Sequence, residues 1–210
     1  MPLADKIRPA VLSDVVGQTH LIGEGKPLRR VIESGKIPNM IFYGPSGVGK
    51  TTVARIIAES ANMRLHKLNG TSASTADIKG IVSEIDTFLG CNGILLYLDE
   101  IQYLNKKQQQ SLLEYIEDGS ITLIASTTEN PYFYVYNAIL SRSTVFEFKP
   151  VMPDEMEKAV RRGFAEIGRE NGTEYDISDE AVQYICHGVG GDVRKCLNTV
   201  ELCALSAKDG

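Results

Sequence analysis

No two of the four cysteines, Cys91, Cys186, Cys196 and Cys203, have C-x-x-C spacing, and no histidine cluster sits near them. That excludes the common zinc motifs, and a disulfide framework is not expected in a chain of 210 residues. Reduced thiols packed as small apolar groups are the expectation. Positive charge is not in excess either. The formal net charge is -5, so composition offers no broadly basic surface of the kind a dedicated nucleic-acid binder carries. The local cluster Lys26, Arg29 and Arg30 reads as a solvated helix face. No long apolar run is present. The longest, Ile94 to Leu98, falls far short of the roughly 20 residues needed to cross a bilayer. Met1 to Pro9 is polar and charged, unlike a signal peptide. Internal repeats and low-complexity tracts are missing as well. A cytoplasmic protein with no membrane association is expected.

What is present is ordinary for a globular protein with a real core: 43% hydrophobic and 23% charged residues. Short apolar runs alternate with amphipathic segments. Met40 to Tyr43 reads as a buried strand, followed by Val53, Ile56, Ile57 and Ala61 at helical spacing. Leu65 to Leu68 reads as a second strand. Ser74 and Asp77 form a capping-box pattern before the apolar stripe Ile78, Ile81, Val82 and Ile85. Gly93 to Leu98 is a third strand, hydrophobic throughout, as in a parallel sheet covered on both faces. Asn105 can cap a helix whose core face is Gln109, Leu112, Leu113 and Ile116, and Gly119 suits its end. Ile121 to Ala125 and Thr144 to Phe148 complete five strands.

This alternation predicts an α/β domain over residues 1–150 with a mainly parallel five-stranded sheet. After Pro150 and Pro153 the pattern becomes purely helical. Met156, Val160, Phe164 and Ile167 share one helix; Ser178 and Asp192 can cap two more, the last carrying Val193, Leu197, Val200 and Ala204. Residues 151–210 are therefore expected to form a small helical domain.

The run Gly44-Pro45-Ser46-Gly47-Val48-Gly49-Lys50-Thr51 matches G-x-x-x-x-G-K-[ST] in full, after a strand and before a helix. Glycines let such a loop curl so that backbone N–H groups converge on phosphate oxygens, and the following helix adds its positive end. Lys50 suits the β and γ phosphates of ATP, and the Thr51 hydroxyl suits Mg²⁺. Asp99, closing the run Ile94 to Leu98, can hold hydrated Mg²⁺. Glu100, one residue on, can polarise a water for attack on the γ-phosphate. Alone, Asp-Glu after a strand reads better as a solvated turn; with the phosphate loop it points to hydrolysis.

These motifs resemble the AAA+ ATPases, in particular the clamp-loader clade and, within it, the replication-associated recombination protein A family with its Werner-helicase-interacting relatives. The carrying segments are Pro2 to Pro9, Val16-Gly17-Gln18, Gly23 to Arg30, Asn105 to Gln110 and Thr127-Thr128-Glu129-Asn130-Pro131. The resemblance implies an AAA+ P-loop fold with a helical lid, Mg²⁺-dependent ATP hydrolysis and a role in replication-fork maintenance, recombination and DNA repair. By resemblance the partners are forked or single-stranded DNA, replication and repair proteins such as a single-strand-binding protein, and further copies of the same chain.

The resemblance also implies roles for single residues. Thr52 continues the nucleotide-binding run. Asn130 stands where the family's sensor 1 polar residue lies; Asn and Pro also both suit a turn, and the two readings can hold together. Arg142 matches the arginine finger aimed at the neighbouring subunit's ATP, with Ser143 where clamp loaders often carry cysteine. Arg194 matches sensor 2 at the start of the last helix. Asn69 resembles a residue that restrains the catalytic glutamate in related ATPases. Arg8, Val16 and Gly17 fall in the region flanking the adenine. Family members usually continue into a further helical oligomerisation region beyond Ala207 to Gly210, so an ATPase core, weak as a monomer, is expected. Two other readings stay open: a clamp-loader subunit, and an ATP-dependent switch that does not hydrolyse.

Overall fold

In the computed structural model, which describes residues 2–84 and 93–207, the predicted alternation of strand and helix is present. The helices are α1 (Leu3–Lys6), α2 (Thr19–Ile22) and α3 (Pro27–Glu33). Strand β1 (Met40–Tyr43) precedes α4 (Lys50–Ser60), β2 (Arg64–Asn69), α5 (Thr75–Val82), β3 (Ile94–Asp99), α6 (Lys106–Glu117) and β4 (Ile121–Thr127). Then come α7 (Pro131–Tyr134), α8 (Asn137–Leu140), β5 (Thr144–Glu147), α9 (Pro153–Asn171), α10 (Asp179–Gly188) and α11 (Val193–Ser206). Short 3₁₀ turns occupy Leu12–Asp14 and Ile101–Tyr103. Ile85, Cys91 and Lys208 to Gly210 lie outside the described residues.

The chain divides into two units. One comprises Thr19–Gly44 and Val53–Phe148 and holds the sheet; the other comprises the residues up to Gln18, Pro45–Thr52 and the residues from Lys149 on.

In the sheet unit the five strands lie in the order β2-β3-β4-β1-β5, and every pairing is parallel. Side chains alternate between two faces, as strand geometry requires. Ile41, Leu96, Leu98, Leu123 and Ala125 share one apolar cluster with Ile78 and Ile81 of α5 and Leu112 and Ile116 of α6. Met40, Phe42, Leu95, Tyr97, Ile124 and Ser126 alternate with these residues along the same strands and are all buried. The expected Ser74–Asp77 capping box forms at α5, and at α6 the cap Asn105 makes a second box with Gln108. Each satisfies two N–H groups that a helix start would otherwise leave unpaired.

The strand order places a reversal at β1 and β4. From β1 the chain runs out to β2 and returns through β3 to β4, then passes over β1 to β5. Open parallel sheets bind ligands beyond the carboxyl ends of the strands at such a reversal. Gly44, Asp99 and Thr127 all stand at that edge.

The second unit centres on α9, α10 and α11. Met156, Val160 and Phe164 of α9 pack with Val182 and Cys186 of α10, and with Cys196, Leu197 and Val200 of α11. Asp192 caps α11 by accepting from Lys195 N at 2.9 Å, and Ser178 caps α10 by accepting from Ala181 N at 3.2 Å. The N-terminal segment joins this core. Leu3 is fully buried within it, and its N–H donates to Glu201 Oε1 at 3.0 Å. Burial pushes the Cys196 thiol up to about 12, with smaller contributions from Cys186 and Asp192.

Candidate functional site

The phosphate-loop sequence lies between β1 and α4, as the motif requires. Gly44 turns the chain away from β1, its N–H donating to Thr127 O at 3.1 Å. Pro45 and Ser46 are exposed, Val48 is buried, and Thr51 and Thr52 are half-buried in the first turn of α4. Gly47 has φ +73°, in the left-handed region that favours glycine. It also has no room for a side chain: a Cβ there would lie 1.8 Å from Asp192 Oδ1.

Backbone and side-chain bonds hold this loop in shape. Val193 N, at the start of α11, donates to Gly47 O at 2.9 Å. The Gln18 amide, almost fully buried, donates to Val48 O at 3.2 Å and to Lys149 O at 2.6 Å, and accepts from Lys149 N at 3.0 Å. Lys50 is 8% exposed, and its ammonium donates to Pro45 O at 2.6 Å, inside the curl of its own loop. A cation enclosed by a loop whose glycines take positive φ is the arrangement that receives a phosphate chain. In the sequence Gln18 stands out only within the run Val16-Gly17-Gln18. A polar side chain beside a glycine carries no periodic signal that marks it as buried.

At the carboxyl edge of the sheet, Asp99 ends β3 and Glu100 follows in the left-handed conformation, φ 55° and ψ 51°. A glutamate seldom adopts that conformation, and such exceptions gather at functional sites. The turn is stabilised locally: Tyr103 N donates to Glu100 O at 3.1 Å, and Gln102 Nε2 donates to Glu100 Oε2 at 2.5 Å. Gly70 allows the close approach of the neighbouring loop. Its N–H donates to Asp99 O at 2.7 Å, and a Cβ there would lie 2.2 Å from Glu100 O. Asp99 Oδ1 accepts hydrogen bonds from Ser126 Oγ and, at 3.5 Å, from Tyr97 OH. The sequence does not single out Ser126, because nothing local says that β4 lies beside β3.

The remaining residues are placed as follows. Asn130 caps α7, its side chain accepting from Tyr132 N at 3.0 Å, which is the turn arrangement its Asn-Pro sequence favours. Asn69 pairs with Asp99 in the β2–β3 register, and its Oδ1 accepts from Thr71 N at 2.9 Å and Thr71 Oγ1 at 2.7 Å. Arg142, just past α8, is exposed. It forms an ion pair with Glu117 Oε1 at 2.5 Å and donates to Ala138 O at 2.9 Å. Arg194 is exposed in the first turn of α11, next to the Val193 that binds Gly47 O. Arg8 pairs with Asp5, Val16 packs against the helical core, and Gly17 has φ +73°. No helix among the described residues is long and apolar enough to cross a membrane.

Comparison with known proteins fits this geometry. A family model described as AAA, ATPase family associated with various cellular activities, matches residues 40–151. Replication-associated recombination protein A of Bacillus subtilis is 39% identical over 209 residues, 99% of this chain and 49% of that protein. The Haemophilus influenzae protein of the same name is 43% identical over 206 residues, 96% of this chain and 46% of that one. The chain thus spans about half the length of these curated relatives. The Thermotoga maritima RuvB Holliday junction branch migration motor has the same fold, with TM-score 0.78 at 24% identity over 96% of this chain and 68% of that one. On the match of its phosphate loop, strands and acidic strand end, the chain belongs to the AAA family, the ATPases associated with various cellular activities.

Proposed function

We propose that the chain is the ATP-binding and ATP-hydrolysing core of a protein that maintains replication forks and acts in recombination and DNA repair. The observation that carries the reading is the loop Gly44 to Thr51. It is fixed by Gln18 and Val193, carries Lys50 inside its curl and leads directly into α4.

In this reading the loop amides and Lys50 bind the β and γ phosphates. Thr51 and Asp99 hold Mg²⁺. Their oxygen donors suit a hard cation that keeps most of its waters. When bound, Mg²⁺ neutralises developing charge on the phosphates. Glu100 orients and polarises the attacking water, and Asn130 assists. Arg194 contacts the γ-phosphate, and Arg142 serves the site of a neighbouring copy. Arg8, Val16 and Gly17 flank the base. Residues 1–150 act as the nucleotide-binding domain and 151–210 as the helical lid. The relatives named for replication-associated recombination support the replication and recombination role.

The test is phosphate release by the assembled protein with forked, single-stranded and duplex DNA, for wild type and Glu100→Gln. Turnover in wild type, lost in Glu100→Gln while ATP still binds, is the expected result. Equal and negligible rates in both, with ATP bound, would identify a switch that does not hydrolyse.

A further inference from the structure

The face of the sheet opposite the α5–α6 layer brings one hydroxyl to the Asp99 carboxylate. In the β3–β4 register Tyr97 lies beside Ile124 and Leu98 beside Ala125. The next step up the two parallel strands therefore sets Asp99 beside Ser126. Leu98 and Ala125 point into the apolar cluster with α5 and α6, so Asp99 and Ser126 emerge on the other face. Ser126 is fully buried, and its Oγ donates to Asp99 Oδ1. The hydroxyl of Tyr97, two residues before Asp99 on the same face, donates to the same oxygen at 3.5 Å.

We propose that Ser126 is a positioning residue for Asp99. Its hydroxyl occupies Oδ1, fixes the rotation of the carboxylate and leaves Oδ2 as the oxygen presented to the hydrated Mg²⁺ of bound ATP. The inference rests on the reading that Asp99 faces nucleotide-bound Mg²⁺. A free carboxylate at a strand end rotates between nearly equivalent orientations. One strong hydroxyl donor on one oxygen removes that freedom before the metal arrives, because a hydrogen bond to an ionised acceptor is about twice as strong as a neutral one. Alanine at this position would fill nearly the same space and leave the sheet intact, so the hydroxyl itself is what the carboxylate gains. Groups that orient a metal-binding side chain commonly account for roughly 10- to 100-fold in metal affinity or activity.

The experiment titrates the chain with a fluorescent ATP analogue, in excess Mg²⁺ and in EDTA. It compares wild type, Ser126→Ala, Asp99→Asn and the double variant, with thermal melts alongside. Ser126→Cys, which keeps the shape with a weaker donor, replaces Ser126→Ala if the latter unfolds. Wild type is expected to gain affinity from Mg²⁺. Ser126→Ala is expected to lose most of that gain, on the order of tenfold, with unchanged affinity in EDTA. Adding Ser126→Ala to Asp99→Asn is expected to cost little more, since one residue acts through the other. A full Mg²⁺ gain in Ser126→Ala, or strictly additive losses in the double variant, would overturn the positioning role alone. No Mg²⁺ gain in wild type would overturn the nucleotide–metal reading and this inference with it.

Discussion

Gly47 and Asp192 meet in space that a side chain would need. A Cβ on Gly47 would lie 1.8 Å from Asp192 Oδ1, and the amide next to Asp192 donates to Gly47 O at 2.9 Å. Asp192 cannot move away without cost, because the same Oδ1 caps α11 through Lys195 N. Gly47→Ala therefore meets both a disfavoured φ and a displaced helix cap. We expect it to lower stability by about 1–3 kcal/mol and to weaken ATP binding. Urea denaturation and a nucleotide titration check this. Wild-type stability in the variant would show that the loop and the start of α11 yield freely.

Arg142 is exposed and paired with Glu117 in a bond between partly solvated groups. Pairs of that kind contribute at most about 1 kcal/mol, so the guanidinium can leave Glu117 for a phosphate at little expense. In assembled protein, Arg142→Ala is expected to keep the wild-type melting temperature and ATP affinity and to lose about 10³ in turnover. Mixing Arg142→Ala with Glu100→Gln should restore part of the rate, because each copy supplies what the other lacks. A mixture as inactive as its components would argue that Arg142 does not serve a neighbour's site.

Cys196 gives a pH dependence whose sign is fixed. Its thiol is pushed from the ordinary value of 9.0 up to about 12, chiefly by burial. Below about pH 9 the thiol is protonated both folded and unfolded, so its contribution is fully present. Between about 9 and 12 the unfolded chain gives up a proton that the folded chain keeps. Stability then falls with rising pH, by about 1.4 kcal/mol per unit for one such group. Denaturation at a series of alkaline pH values should show a shallower fall in Cys196→Ala than in wild type. Identical slopes would mean the thiol does not contribute.

Much of this molecule is legible without its structure. Strands β1, β3 and β4 are visible as short apolar runs, and Ser74 with Asp77 and Asn105 as an N-cap announce their helices by spacing alone. The phosphate loop and the Asp99–Glu100 pair stand out because chain-local motifs carry their chemistry. Interactions made across the sheet are not legible. The strand order β2-β3-β4-β1-β5 depends on how the crossovers pack, and with it the meeting of Ser126 and Asp99. Gln109 falls on a core face by its spacing, but its reason for burial is polar. Its amide donates to Leu104 O and Tyr134 O and accepts from Tyr136 N, partners that lie up to 27 residues away. Leu3 is hidden in a segment that reads as polar, yet it fills the helical core. The helices α1, α2, α7 and α8 have four residues each, too short for a periodic pattern to appear.

The central claim is that the loop from Gly44 to Thr51 holds a triphosphate with Lys50 as its cation. Calorimetric titration of ATP into wild type and Lys50→Ala, in the presence of Mg²⁺, tests it most directly. Saturable binding to wild type and none detectable to Lys50→Ala, with equal melting temperatures in the absence of nucleotide, is the predicted result. Equal affinity in both proteins would contradict the account.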